Sequence, residues 1–455
     1  MTTFNQLIDT IRSLIWGAPL LILIIGTGVY LTFLLRGVQF RYLWYGLKQL
    51  FAKRKRGAVG DISHFEAVMT TLAGAIGTGN IVGVSTALVI GGVGALFWMW
   101  VTAFFGMAIK YSESLLAVKY REVDKRGEMI GGPMEYMEKG LGLKWMAVLF
   151  AIFGMVAAVG TGNLVQVNSI ADALNAVWDV SPWVTGTVLA ALTGLVLIGG
   201  VRSIGHVAGV LVPLMSVFYL GGGILILLLN YDRIPYAFMT ILDSAFTGQA
   251  AAGGFAGSTV LAAIQMGVAR GVFSSEAGLG ISSIAAAAAK TDSPGRQAMI
   301  TMTGTLLSTI IVCSITGLVI VVTGAFGALD DCGNVLNGAC LAINAFGSVI
   351  GVGGYIVSIG LILFAFSTVV AWAYYGEKCS EYLFGESAVI YYRIFFSLII
   401  IPGAALELDL VWAIADISNG LMAIPNLIAL IGLSKVLSKE TGDFIKQIRA
   451  ESSEG

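Results

Sequence analysis

Histidine is nearly absent, with two residues in 455, and the shortage removes whole classes of chemistry. A multi-histidine metal centre has too few ligands, and neither HExxH nor GxSxG is present to suggest a hydrolase. Charge is scarce as well: Asp, Glu, Lys and Arg make up 12% of the chain and hydrophobic residues 57%, against about 25% and 45–50% in soluble domains. With 26 basic and 27 acidic residues the net charge is −1, so no basic excess points to nucleic acid. The four cysteines form no CxxC pair. Cys332 and Cys340 share the polar stretch DDCGNVLNGAC, where a bridge and two separate thiols are both compatible with the sequence. Cys313 and Cys379 sit in apolar surroundings as small apolar residues.

What is abundant is apolar length. A helix needs roughly 20 apolar residues to cross about 30 Å of hydrocarbon. Eleven stretches meet or approach that: 14–36, 65–90, 93–118, 145–170, 183–200, 206–229, 256–289, 298–326, 351–376, 388–404 and 408–434. The expected fold class is therefore an all-α polytopic membrane protein, with the lipid bilayer as its solvent. The first stretch is too long for the apolar part of a cleavable signal and no basic segment precedes it, so it is expected to stay in the membrane.

Basic loops are retained on the cytoplasmic side. Placing the loop after the first span inside leaves 22 Lys and Arg inside and two, Arg12 and Arg233, outside, with Lys110 and Arg270 within spans. That asymmetry predicts eleven spans in the cell membrane, N-terminus outside and C-terminus cytoplasmic; an even span count would put one end's charges on the wrong side.

Two of these stretches are interrupted. Residues 74–83 read GAIGTGNIVG, and their glycines point around the helix with Thr78 and Asn80 beside them. Helix crossing through small residues is one reading; an unwound segment lining a cavity is the other. Residues 267–280 read GVARGVFSSEAGLG and bring Arg270, Ser274, Ser275 and Glu276 to membrane depth, where charges are expensive and mark functional sites. Arg270 and Glu276 admit a structural ion pair, a gate, or both. The breaks lie in spans two and seven. An odd, five-span repeat inverts topology, which predicts an inverted-repeat transporter with its site between discontinuous helices. The division runs 1–60 for an extra N-terminal helix and basic loop, 61–229 and 230–435 for the two five-helix repeats, the second with extracellular loops, and 436–455 for a cytoplasmic tail.

GAIGTGNIVGV and above all RGVFSSEAGLG resemble the signature segments of the alanine or glycine:cation symporter family, a branch of the amino-acid transporters with the leucine-transporter-like fold. The resemblance covers the whole chain, and the second motif is the specific one. Asparagine is usual in the family where this chain has Ser275. The resemblance implies alternating-access uptake of small neutral amino acids, alanine or glycine, by symport with sodium as coupling ion; proton coupling is the alternative. No organic cofactor is implied.

Roles follow by motif. In the stretch Gly77, Thr78, Gly79, Asn80, the resemblance puts the substrate carboxylate on the backbone of Thr78 and Gly79. It puts carbonyls near Ala75 and Phe273 and the Ser274 hydroxyl around the amino group or a nearby cation. Sodium wants several hard oxygen ligands. Ser367 and Thr368 offer adjacent hydroxyls, which in a membrane helix also bond back to the preceding turn; the resemblance pairs them with the carbonyls of Ala73 and Ile76 as a sodium site. Trp372 lies one turn beyond Thr368 on the same face, either limiting pocket size with Phe273 or belonging to an interfacial belt. Gln166, in the fourth span with Asn163 and Asn168, is the candidate substrate contact there, against a purely interhelical role. Glu113 is read as snorkelling or pairing with Lys110, and Asp416 receives no role in coupling. An ion channel would need a continuous polar pore; a receptor that binds the same ligand without transport is separated from a transporter only by flux. The chain is read as able to act as a monomer.

Overall fold

The computed structural model describes residues 2–51, 59–247, 260–329, 333–406 and 408–453. Helices fall on all eleven expected stretches, and the described residues contain one two-stranded antiparallel ladder, Glu122–Val123 with Met129–Ile130. Among the described residues, seven helical segments are long and apolar enough to cross a membrane: Thr10–Leu34, Ala95–Lys119, Lys144–Asn175, Gly200–Leu229, Pro294–Val322, Gly353–Phe384 and Val411–Gly432. The shorter Pro182–Ile198 has 17 residues, which at about 1.5 Å each reach roughly 25 Å. Ala388–Gly403 is also short.

A separate helix, Thr2–Ile15, leads into the first stretch, which is helix Ala18–Leu34 with Pro19 in its first turn, where a proline costs no helical hydrogen bond. Segments expected as loops and tail contain further helices: Ile234–Thr247, Gly338–Gly347 and Ser434–Ser453. Their apolar residues recur at helical spacing but are too few for a span, so a search by apolar length passes over them. Cys332 lies outside the described residues, so the expected choice between bridge and thiols stays with the sequence.

Polarity is distributed as a bilayer demands. Large apolar side chains such as Trp183, Leu195, Val217, Leu228 and Phe395 face outward, while Lys110, Glu113, Arg270 and Glu276 are at most 2% exposed. Groups buried to that degree need partners inside the protein.

Both interruptions have local causes. The first broken segment begins at a capping box: Ser63 N–H donates to Glu66 Oε2 at 2.8 Å and Glu66 N–H to Ser63 Oγ at 3.2 Å, which satisfies two of the orphaned N-terminal donors. Helix His64–Ala75 then stops, Gly77 is extended, and one 3-10 turn, Thr78–Asn80, precedes helix Val82–Gly91. A side chain at Gly77 would run into the Thr368 hydroxyl, so glycine is required for that approach. The second broken segment is helix Val260–Ser275, an unwound stretch, and helix Ser283–Ala287. Glu276, Gly278 and Gly280 all take positive φ, at 56°, 97° and 77°, a region that favours glycine and costs energy for glutamate.

Candidate functional site

The two breaks meet helix Gly353–Phe384. Thr368 Oγ1 lies 2.7 Å from Ala73 O, 3.4 Å from Ile76 O and 3.0 Å from Phe364 O. A hydroxyl has one proton to donate, so Ala73 O and Ile76 O compete for it with Phe364 O, which also accepts from the Ser367 hydroxyl. Such an oxygen-rich point, buried and short of positive charge, has the donor set that a hard cation takes. Ser367 is turned aside: its hydroxyl donates to Phe364 O at 2.9 Å and contacts Met215 Sδ at 3.5 Å. Of the four residues paired by motif, Ala73, Ile76 and Thr368 thus converge, and the Ser367 hydroxyl does not bond to the same carbonyls.

Around the first break two backbone donors already have side-chain partners. Thr78 N–H donates to Gln166 Oε1 at 3.1 Å, and Gly77 N–H to Asn80 Oδ1 at 3.0 Å. Gln166 Nε2 donates in turn to Thr161 O at 3.0 Å, within the π-helical stretch Gly160–Leu164 that interrupts the fourth span. Asn80 Nδ2 reaches Ser308 O at 2.9 Å and Cys313 Sγ at 3.3 Å, tying the break to a second π-helical stretch, Leu306–Cys313. The Thr78 hydroxyl is buried with no hydrogen-bond partner among the described residues, and Ala75 is buried beside it. Phe273 approaches Gly79 so closely that a side chain there would meet its ring at 2.5 Å.

At the second break, Ser274 Oγ pairs with Thr309 Oγ1 at 2.9 Å. Ser275 Oγ donates to Gly271 O at 2.8 Å and accepts from Ala277 N–H at 3.3 Å, closing the end of the half-helix. Lys110 Nζ donates to Ser275 O at 3.0 Å and to the Ser282 hydroxyl, 3.6 Å from Glu276 Oε2. Glu113 Oε1 accepts from Gly278 N–H at 2.9 Å, Gly280 N–H at 3.0 Å and Asn426 Nδ2 at 2.7 Å. The unwound stretch therefore has its carbonyl side held by an ammonium and its amide side by a carboxylate. Two expected pairings are corrected. Glu276 faces Lys110 rather than Arg270, because its left-handed backbone turns it away from the helix that carries Arg270; Glu113 caps backbone amides rather than pairing with Lys110 or snorkelling.

Arg270 finds its carboxylate on helix Leu408–Gly432. Its Nη1 and Nη2 donate to Asp416 Oδ1 and Oδ2 at 3.1 and 3.0 Å, the bidentate geometry that suits guanidinium and carboxylate. The guanidinium lies 4.6 Å from the Trp412 ring centre, and Trp412 packs on Phe273 with centroids 5.1 Å apart. Trp372 is buried at 1% exposure and donates Nε1–H to Gly74 O at 3.2 Å. It is therefore no interfacial belt residue; it packs on Gly162, where any side chain would overlap it.

At the other end of helix Gly353–Phe384, Lys378 Nζ bridges Glu381 at 2.9 Å and Glu128 at 3.1 Å, and Arg126 bridges Glu381 at 2.7 Å and Asp124 at 3.1 Å. Burial works to raise the Asp124 carboxyl, but the Glu128 amide and the Arg126 guanidinium outweigh it and hold the group below its ordinary value. Asp61 shifts the other way: burial raises it, although its carboxylate accepts from Met129 N–H.

Sequence reasoning missed Thr161, Ser308, Thr309, Trp412, Asn426 and Asp416 as members of this assembly. One signal was available for Ser308 and Thr309, an adjacent hydroxyl pair inside an apolar run like Ser367 and Thr368. Trp412, Asp416 and Asn426 act through contacts with distant parts of the sequence, and Thr161 acts through its backbone oxygen, which carries no side-chain signal.

Two glycine-broken helices facing each other, with a long third helix closing an oxygen-rich point against one of them, define a secondary active transporter rather than an enzyme. The fold is similar to that of MhsT in complex with L-phenylalanine, with a TM-score of 0.55 at 12% identity over 85% of this chain and 99% of the other. It is also similar to a manganese transporter of Eremococcus coleocola, with a TM-score of 0.53 at 13% identity over 83% and 78%. The chain belongs to the sodium:alanine symporter family, whose model matches residues 1–455. It is 54% identical over 448 residues to the sodium/alanine symporter AgcS of Methanococcus maripaludis, covering 97% of each. It is 34% identical over 451 residues to the probable sodium/glutamine symporter GlnT of Bacillus subtilis, covering 98% and 92%.

Proposed function

We propose that this transporter carries a small neutral amino acid, alanine or glycine, into the cell together with sodium by alternating access. The observation that carries the reading is the single hydroxyl of Thr368 set among three carbonyls, two of them freed by the first break. Sodium takes that point, bound by Ala73 O, Ile76 O and Thr368 Oγ1, with Ser367 completing the set after its hydroxyl turns from Phe364 O.

The amino acid lies between the breaks. Its carboxylate takes the backbone of Thr78 and Gly79, displacing Gln166 Oε1 from Thr78 N–H, and the buried Thr78 hydroxyl supplies a further donor. Its amino group faces the carbonyls of Ala75 and Phe273 and the Ser274 hydroxyl. Phe273 and Trp372 leave space for hydrogen or methyl. Sodium binding orders the first broken helix, and substrate then favours the externally closed form by binding it more tightly. Inward sodium movement contributes about 2.3 kcal/mol per charge per 100 mV.

The topology that supports this cycle has eleven spans, N-terminus outside and C-terminus cytoplasmic, with repeats at 61–229 and 230–435, acting as a monomer in the cell membrane. The test is uptake of labelled alanine by liposomes containing the purified protein, with an inward sodium gradient or with choline in its place at fixed pH. Sodium-driven accumulation supports the reading. Binding without flux leaves a receptor, and flux that follows protons while ignoring sodium overturns the assignment of the ion.

A further inference from the structure

The N-terminal helix Thr2–Ile15 stands apart from both five-span units, yet one of its side chains reaches the site. Arg12 Nε lies 2.9 Å from Asp416 Oδ2, the same oxygen that Arg270 Nη2 approaches at 3.0 Å. Four residues on, Trp16 Nε1 donates to the backbone oxygen of Asp416 at 2.8 Å. Gly420, one turn beyond Asp416, allows this approach: any side chain there would overlap Ile15. One acidic residue is thus gripped from two sides, by a span of the second repeat and by a helix outside it.

The two arginines are in different positions. Arg270 is 2% exposed and its Nε has no hydrogen-bond partner among the described residues, so its guanidinium is held by the fork onto Asp416 and by the rings of Trp412 and Phe273. Arg12 keeps 29% of its side chain exposed, against 6% for Asp416. Where Asp416 sits decides where Arg270 sits. Arg270 and Trp412 then back the Phe273 ring, which lies against Gly79 of the first break.

We propose that Arg12 is a positioning residue of the outer closure, holding Asp416 so that Arg270, Trp412 and Phe273 stay over the amino-acid site. The proposal rests on the alternating-access reading. Arg12 touches no substrate; it acts through Asp416. Loss of its grip raises the fraction of molecules open to the outside, and the apparent affinity for external substrate rises in proportion to that fraction. Closure becomes less favourable at the same time, so maximal uptake falls.

Cys313 provides a reporter inside the protein. It is buried, and its sulfur lies 3.3 Å from Asn80 Nδ2 at the break, where a membrane-impermeant thiol reagent arrives only through an open outer path. In a Cys332→Ser, Cys340→Ser background, reconstituted full-length protein carrying Arg12, Arg12→Gln or Arg12→Lys is labelled from outside, and alanine uptake is measured in parallel. Arg12→Gln is expected to speed Cys313 labelling about two- to fivefold, the scale of one partly exposed ion pair. The alanine KM falls by a similar factor and maximal uptake drops, while Arg12→Lys returns all three toward wild type. Unchanged labelling and KM in Arg12→Gln overturn the proposal even if uptake is reduced, and so does an absence of labelling in every variant. Trp16→Phe keeps the bulk and loses only the bond to Asp416 O; should Arg12→Gln fail to accumulate, it is expected to shift labelling the same way, and a wild-type rate overturns the proposal. Failure of wild-type alanine uptake sinks the transport reading instead, and the labelling still reports the closure.

Discussion

The Thr368 hydroxyl lies 2.7 Å from the carbonyl of Ala73 across 295 positions of sequence, and it meets that carbonyl where the first broken helix ends. Nothing local to either residue produces the contact. It exists because the chain stops its helix at Ala75 and because Gly77 leaves room for Thr368.

The two neighbouring hydroxyls are expected to differ. Thr368→Ala removes an oxygen from the carbonyl cluster, whereas Ser367→Ala removes one that now bonds to Phe364 O. Loss of one such interaction costs about 1–2 kcal/mol, so Thr368→Ala should raise the sodium concentration for half-maximal alanine uptake by roughly five- to thirtyfold. Ser367→Ala should raise it less. Sodium titration of initial uptake rates measures both, and equal shifts would show that Ser367 is already a full ligand in the state that binds sodium.

Both breaks were legible in the sequence because glycine and charge are conspicuous in an apolar run. The oxygen cluster was legible only through motif, since Ala73 and Ile76 act through backbone and carry no signal of their own. The partner of Arg270 was not legible at all. Glu276 is near in sequence, but its φ of 56° points it to Lys110, and Asp416 arrives from another helix 146 residues on. The π-helical stretches at 160–164 and 306–313 were invisible for a similar reason, because a single extra residue in a turn leaves the apolar pattern nearly unchanged.

Gln166 is expected to guard the Thr78 amide donor that the substrate carboxylate takes. Gln166→Met removes the acceptor of Thr78 N–H and leaves a buried donor unpaired, which costs about 1–3 kcal/mol. A carboxylate that takes the same donor repairs the loss. Saturating alanine should therefore raise the thermal midpoint of purified Gln166→Met by more than it raises wild type. Equal shifts would mean that the substrate does not use Thr78 N–H.

Trp372 and Gly162 are expected to set the size of the pocket together. Gly162→Ala places a methyl where the Trp372 side chain already sits, so the indole must move and alanine uptake should be largely lost. Trp372→Phe opens space and removes the donor to Gly74 O. Discrimination by such a wall amounts to about 1–3 kcal/mol per methylene-sized change. Leucine should then compete with alanine uptake roughly ten- to a hundredfold better in Trp372→Phe than in wild type, and an unchanged competition profile would remove Trp372 from the pocket wall.

Lys110 and Glu276 offer the most direct reading of what holds the second break. Both side chains are 1% exposed and lie 3.6 Å apart. Removing one partner of a buried pair strands the other charge, at a cost of about 3–5 kcal/mol. Lys110→Met should therefore reduce folded protein sharply, and Glu276→Gln likewise. The double variant removes both charges and should recover much of the accumulation and thermal stability. Transport is expected not to return with it, because Lys110 also donates to Ser275 O and Ser282 at the ends of the unwound stretch, and methionine has no donor to replace those bonds. Recovery of stability with uptake intact would mean that the stretch keeps its shape through Glu113 and Asn426 alone. Failure to recover stability would mean that Lys110 is held more by the serines than by Glu276.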